Sequence, residues 1–92
     1  MNDKRKFESV WEALEDDPVR VQNLKLRSAA LIEITEKLAG LNLSQTEIAK
    51  ILSISQPRVS ALMQGKIHKF RLDSLVDMAH RLGLSVSIQI AA

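Results

Sequence analysis

The 92-residue sequence contains no cysteine, which excludes disulfides and thiolate metal sites and is compatible with a reducing compartment. Aromatic residues are scarce, at 3% of the chain with one tryptophan and two phenylalanines. The core must therefore be built from Leu, Ile, Val, Ala and Met, which suits packed helices better than a sandwich or barrel. No apolar run approaches the ~18 residues of a membrane span, and the polar stretch Met1 to Lys6 leads into a charged helical pattern rather than a signal-peptide hydrophobic region. No membrane association is expected, and a cytoplasmic location is. Also missing are a Gly-rich phosphate loop, a ligand-spaced set of His and Asp, and any base facing the clustered acids. The chain is not expected to be an enzyme or to need a cofactor. His68 and His80 fall on different elements, so no metal site is expected either.

What is present fits one folded domain with a single modest core, since hydrophobic residues make up 46% and charged residues 26%. The net charge of +2 is small but unevenly spread. Met1 to Asp17 carries three basic and six acidic side chains, whereas Ser44 to Arg71 carries five basic ones (Lys50, Arg58, Lys66, Lys69 and Arg71) against Glu47 alone. A basic surface of that kind is what a phosphate-facing patch needs.

The basic region coincides with the best-patterned stretch, Ser44 to Gly65, SQTEIAKILSISQPRVSALMQG. Ser44 stands at an N-cap with Glu47 three residues later, a capping box that opens a helix near Gln45. Ile48, Ala49, Ile51 and Leu52 follow at helical spacing until Ser53-Ile54-Ser55 interrupts them. Ser55 then caps a second helix. Pro57 fits its first turn, where the missing N–H has no helical partner, and Gly65 is suited to a left-handed stop. Val59, Leu62 and Met63 form the inward stripe. Helices this short do not stand alone, so the two must pack through Ala49, Ile54 and Val59, a helix-turn-helix. In this motif the second helix lies in the DNA major groove. With Val59 and Leu62 inward, the 100° step places Pro57, Ser60, Ala61 and Gln64 outward, with Gln56 at the helix tip and Arg58 on the flank. Gln suits adenine, Arg suits guanine, and Ala61 or Pro57 suits a thymine methyl. Phosphate contacts are expected from Ser44, Gln45 and Ser55 at helix starts and from Lys66, Lys69 and Arg71 after the motif.

These residues, with the layout Gln45, Ala49, Ile54, Val59, Leu62 and the following Gly65-Lys66, resemble the helix-turn-helix of the lambda-repressor-like (Xre/Cro) family. Ser53 departs from that family's usual Gly, and a left-handed Ser costs roughly 1 kcal/mol. In such relatives the residues matching Gln45 and Lys66 commonly hold phosphate. The wider pattern, FESVWEALEDDP from Phe7 and FRLDSLVDMAHRLGL from Phe70, is similar to the small antitoxins of the HigA type within the family. That similarity implies a protein that masks a small basic ribonuclease toxin and represses the operon they share; the alternative is a stand-alone regulator without a toxin partner.

Around the motif, Ser9 and Glu12 form a second capping box for a short acidic helix with Phe7, Trp11 and Leu14 on one stripe. The stripe either docks on the core or, flanked by Glu12 and Glu15, meets a basic protein partner. Asp17-Pro18 starts a long helix expected to reach Ala39 and stop at Gly40, with Val21, Leu24, Leu31, Ile34 and Leu38 inward and Lys25 and Arg27 outside. Ile67 and Phe70 anchor the basic connection, and Asp73 caps a last helix over 74–82, with Gly83 as its stop. Leu84, Val86, Ile88 and Ile90 then alternate with polar or small residues at period two, which predicts a strand. A single strand in a helical chain needs another edge, either the same strand of a second copy across a two-fold axis or a partner protein's edge. The expected fold is thus all-α, a five-helix lambda-repressor-like domain, with one C-terminal β-strand that pairs across a dimer. Residues 1–17 form an acidic extension, 18–83 the DNA-binding domain and 84–92 the dimerisation strand. The expected partners are double-stranded DNA with a near-palindromic operator, a second copy and the small basic toxin.

Overall fold

The computed structural model describes residues 17–92. The expected acidic helix, with Phe7, Trp11, Glu12 and Glu15, lies outside the described residues. Among those described, four α-helices and one 3-10 turn form the domain: α1 (Pro18–Leu41), α2 (Gln45–Leu52), α3 (Gln56–Met63), the turn Ile67–Lys69 and α4 (Leu72–Arg81).

Helix α1 begins as its sequence dictates. The Asp17 carboxylate accepts the Val19 N–H at 3.0 Å, and Pro18 occupies the first turn. It ends later than expected, because Gly40 stays helical and Asn42 takes the left-handed position with φ 57°. Asn is among the few non-glycine residues that tolerate this conformation, and Leu43 beyond it packs against the core. At 24 residues the helix is about 36 Å long, close to the 38 Å longest extent of the described residues. Its buried stripe is Leu24, Ser28, Leu31, Ile34 and Leu38. Arg27, expected outside, is half-buried instead, and its Nη1 donates to the Phe70 carbonyl at 3.3 Å. The long helix is thereby tied to the loop that follows the motif.

α1 packs chiefly on α4, and α2 on α3. The core closes around Ile34 and Leu38 of α1, Ile48 and Leu52 of α2, Val59 and Leu62 of α3, Ile67 and Phe70 of the loop, and Leu75 and Met78 of α4. Phe70 is 1% exposed, so the basic connection is anchored as its spacing predicts. Helix α4 starts two residues earlier than expected, with Arg71 in the cap position and no side-chain cap. Asp73 accepts the N–H of Ser74 within the first turn.

Three helix ends share one device. Ile54, Lys66 and Leu84 donate their N–H groups to the carbonyls of Ala49, Ala61 and Ala79, at 3.1, 3.0 and 2.9 Å. Ser53, Gly65 and Gly83 each donate one step inside, to Lys50, Leu62 and His80. This is the Schellman closure, and it needs a left-handed residue each time. Gly65 and Gly83 meet that need without strain, while Ser53 meets it at φ 59°.

The last closure revises the tail. Leu84, expected to open a strand, belongs to the end of α4 and is half-buried against the core. The single chain forms no strand among the described residues. Val86, Ile88 and Ile90 are 45%, 78% and 91% exposed. The physical reason is the one that makes a lone strand untenable: among the described residues of one copy there is no second edge to accept its backbone groups.

Candidate nucleic-acid interface

The turn between α2 and α3 fixes the candidate site. Ser53 reverses the chain, Ile54 is partly buried, and Ser55 caps α3 by accepting the Arg58 N–H at 3.3 Å. Val59 and Leu62 are fully buried, which sets the rotation of α3 and turns Gln56, Pro57, Arg58 and Gln64 to solvent, with Ser60 half-buried. Two expectations about this helix fail. Ala61, placed outward by the 100° step, is 6% exposed, and Met63, placed inward, is 40% exposed. After Gly65 the chain folds back, with the Lys66 N–H on the Ala61 carbonyl and Ile67 and Phe70 entering the core. That return covers the Ala61 side, so Ala61 is withdrawn as a base contact.

The outward side chains are not loose. Gln56 Nε2 donates to Thr46 Oγ1 on α2 at 3.1 Å, and Gln64 Nε2 donates to Ser60 Oγ at 3.1 Å. The Arg58 guanidinium lies over the Phe70 ring, 4.7 Å from its centroid. A stacked guanidinium keeps its in-plane donors. Arg58 is thus held on the flank that adjoins the basic loop.

Electrostatics sorts the expected phosphate donors. At the start of α2 the Ser44 N–H donates to Glu47 Oε1 at 3.0 Å, and Ser44 Oγ accepts the Glu47 N–H at 3.2 Å. The Ser44 backbone hydrogen bond, and after it the one with the Ser44 hydroxyl, lowers the pKa of the Glu47 carboxyl from its ordinary value. Ser44 is therefore committed to the capping box, and Ser55 Oγ to the Arg58 N–H. Among the described residues, the open donors at the start of α2 are the N–H groups of Gln45 and Thr46. On the other side, Lys66, Lys69 and Arg71 are all exposed. Arg71 Nε lies 3.6 Å from Asp73 Oδ1, but both side chains are largely solvated, and such a pair contributes little.

The stretch that matches known proteins contains all of this. Residues 13–91 match a family of helix-turn-helix domains. The chain belongs to that family. No curated protein sequence matches the chain.

For a helix-turn-helix domain the class of function is sequence-specific DNA binding and transcription regulation. Four helices of the domain are seen among the described residues, and none of them is long and apolar enough to cross a membrane. The outward side of α3 carries Gln56 and Arg58, Gln64 caps its end, and the exposed Lys66 and Lys69 follow on the loop that Arg58 meets through Phe70. Thr46 was missed by sequence reasoning. Its only signal there is a hydroxyl in the first turn of α2, whose reach to Gln56 depends on the angle between the two helices. His68 and His80 are exposed, and no group of metal-ligating side chains occurs among the described residues.

Proposed function

We propose that the protein is a transcriptional repressor that binds a near-palindromic operator as a dimer. The observation that carries this reading is the exposed Gln56, Arg58 and Gln64 along α3 and its cap, with half-buried Ser60 between them, followed by the exposed cations Lys66, Lys69 and Arg71 around the Phe70 ring that Arg58 covers. Gln56 and Arg58 are the first base readers, for adenine and guanine, with Pro57 at the thymine methyl; Gln45 and the loop cations hold phosphate. The dimer rests on the exposed aliphatics of the tail. Val86, Ile88 and Ile90 alternate with small or polar residues beyond Leu84, and a second copy antiparallel across a two-fold axis supplies the edge they lack. Two-fold related helix-turn-helix domains read half-sites about 34 Å apart. Selection from a randomised duplex library with the full chain is the test. Two inverted half-sites about one helical turn apart support the proposal, and enrichment of a single asymmetric site would argue for binding as a monomer.

A second reading makes the repressor an antitoxin that masks a small basic ribonuclease toxin and controls the operon they share. Its support is the HigA-type similarity of the sequence and the acidic balance of residues 1–17. A neighbouring reading frame for a basic protein, and co-purification of the two products, would favour it. If binding of that product is unchanged by removal of residues 1–17, the acidic segment is not the toxin-binding surface.

A further inference from the structure

We infer that Thr46 sets the base preference of Gln56 without touching the base itself, an inference that rests on the DNA-reading function proposed for α3. Thr46 belongs to α2, ten residues before Gln56, and the two meet only because the turn brings the helix starts together. The Gln56 carboxamide gives one N–H to Thr46 Oγ1 at 3.1 Å, and both groups are exposed. A carboxamide has two N–H donors and one carbonyl acceptor. With one donor taken, a single N–H and the carbonyl oxygen remain, which is the pair that the N7 and the N6 amine of adenine require. The hydrogen bond also tethers the amide to the start of α2, with its nitrogen toward the Thr46 hydroxyl. Gln56 is therefore restrained in place, and part of the cost of ordering a flexible side chain is met before DNA arrives. Ser60 of α3 and Gln64 at its C-cap repeat the arrangement, with the amide nitrogen held at 3.1 Å. Thr46 is a positioning residue for the reader.

The test compares the native chain with Thr46→Val, Thr46→Ser, Gln56→Ala and the Gln56→Ala/Thr46→Val double variant, each selected against the randomised duplex library and checked for an unchanged thermal midpoint. The expected result is a loss of adenine preference at one position per half-site in Thr46→Val, roughly two- to tenfold, the range that pre-ordering one flexible side chain is worth. Preferences at other positions and the salt dependence of binding stay as in the native chain. Thr46→Ser retains the native profile, and Thr46→Val changes nothing further once Gln56 is Ala. A Thr46→Val profile identical to the native one overturns the inference while leaving the DNA-reading function intact. Equal weakening on every sequence also overturns it, since that is the signature of a phosphate contact. A native chain that enriches no sequence contradicts the DNA-reading function and the inference together.

Discussion

Ser53 is the one position in the motif where side-chain identity and backbone conformation disagree. The Schellman closure of α2 requires a left-handed residue, and the serine adopts φ 59° to supply it. Ser53→Gly should therefore stabilise the domain by up to about 1 kcal/mol. For a domain of this size that raises Tm by about 4–8 °C per kcal/mol, readable by calorimetry, and an unchanged or lowered Tm would contradict it. Lys66 illustrates the other kind of residue, one whose side chain has no structural task while its N–H closes α3. Lys66→Ala is expected to leave Tm unchanged, to weaken binding to all duplexes alike and to reduce the salt slope by about 1. A loss confined to one sequence would assign Lys66 to base reading.

Among the elements, α2 depends most on its own first turn. Glu47 is fully solvated, and its carboxyl pKa is lowered by Ser44. A lowered folded-state value means that the charged box stabilises the helix fully above the ordinary glutamate range, near about pH 4–5, and that this contribution is lost as pH falls through the folded-state value. The Tm difference between the native chain and Glu47→Gln should accordingly be present at about pH 7 and shrink as pH falls below the ordinary glutamate range. A difference independent of pH would show that the charge plays no part. This element was legible in the sequence because each of its determinants, Ser44, Glu47 and the apolar spacing, is local. So were Pro18, Pro57 and the Gly65 and Gly83 stops. Ala61 was misplaced because its burial comes from the return of the chain after Gly65, a tertiary event that the 100° step does not contain. Arg27 was misplaced for the same reason, since the Phe70 carbonyl lies 43 residues away. Gly40 has the identity of a helix stop, but Asn42 two residues later takes the left-handed position and Gly40 stays helical. The Thr46–Gln56 contact depends on an interhelix angle that no periodicity reports.

For the whole molecule, one copy buries an aliphatic core and leaves an aliphatic tail in solvent. Val86, Ile88 and Ile90 are exposed beyond the end of α4, and period two in this stretch forms no strand among the described residues. If the tail is the dimer contact, Ile88→Asp yields a monomer by sedimentation, with the Tm of the helical domain little changed. Its affinity for one half-site is then retained, while that for the full operator falls by orders of magnitude, as linked binding requires. A dimer that survives the substitution would place the contact elsewhere. DNA reading by α3 and the loop after it is checked by titrating the full chain against a selected duplex and a scrambled one across a range of salt. It predicts a preference for the selected duplex of at least about a thousandfold and affinity that falls steeply with salt on both. Equal affinities for the two duplexes, with little dependence on salt, would contradict it.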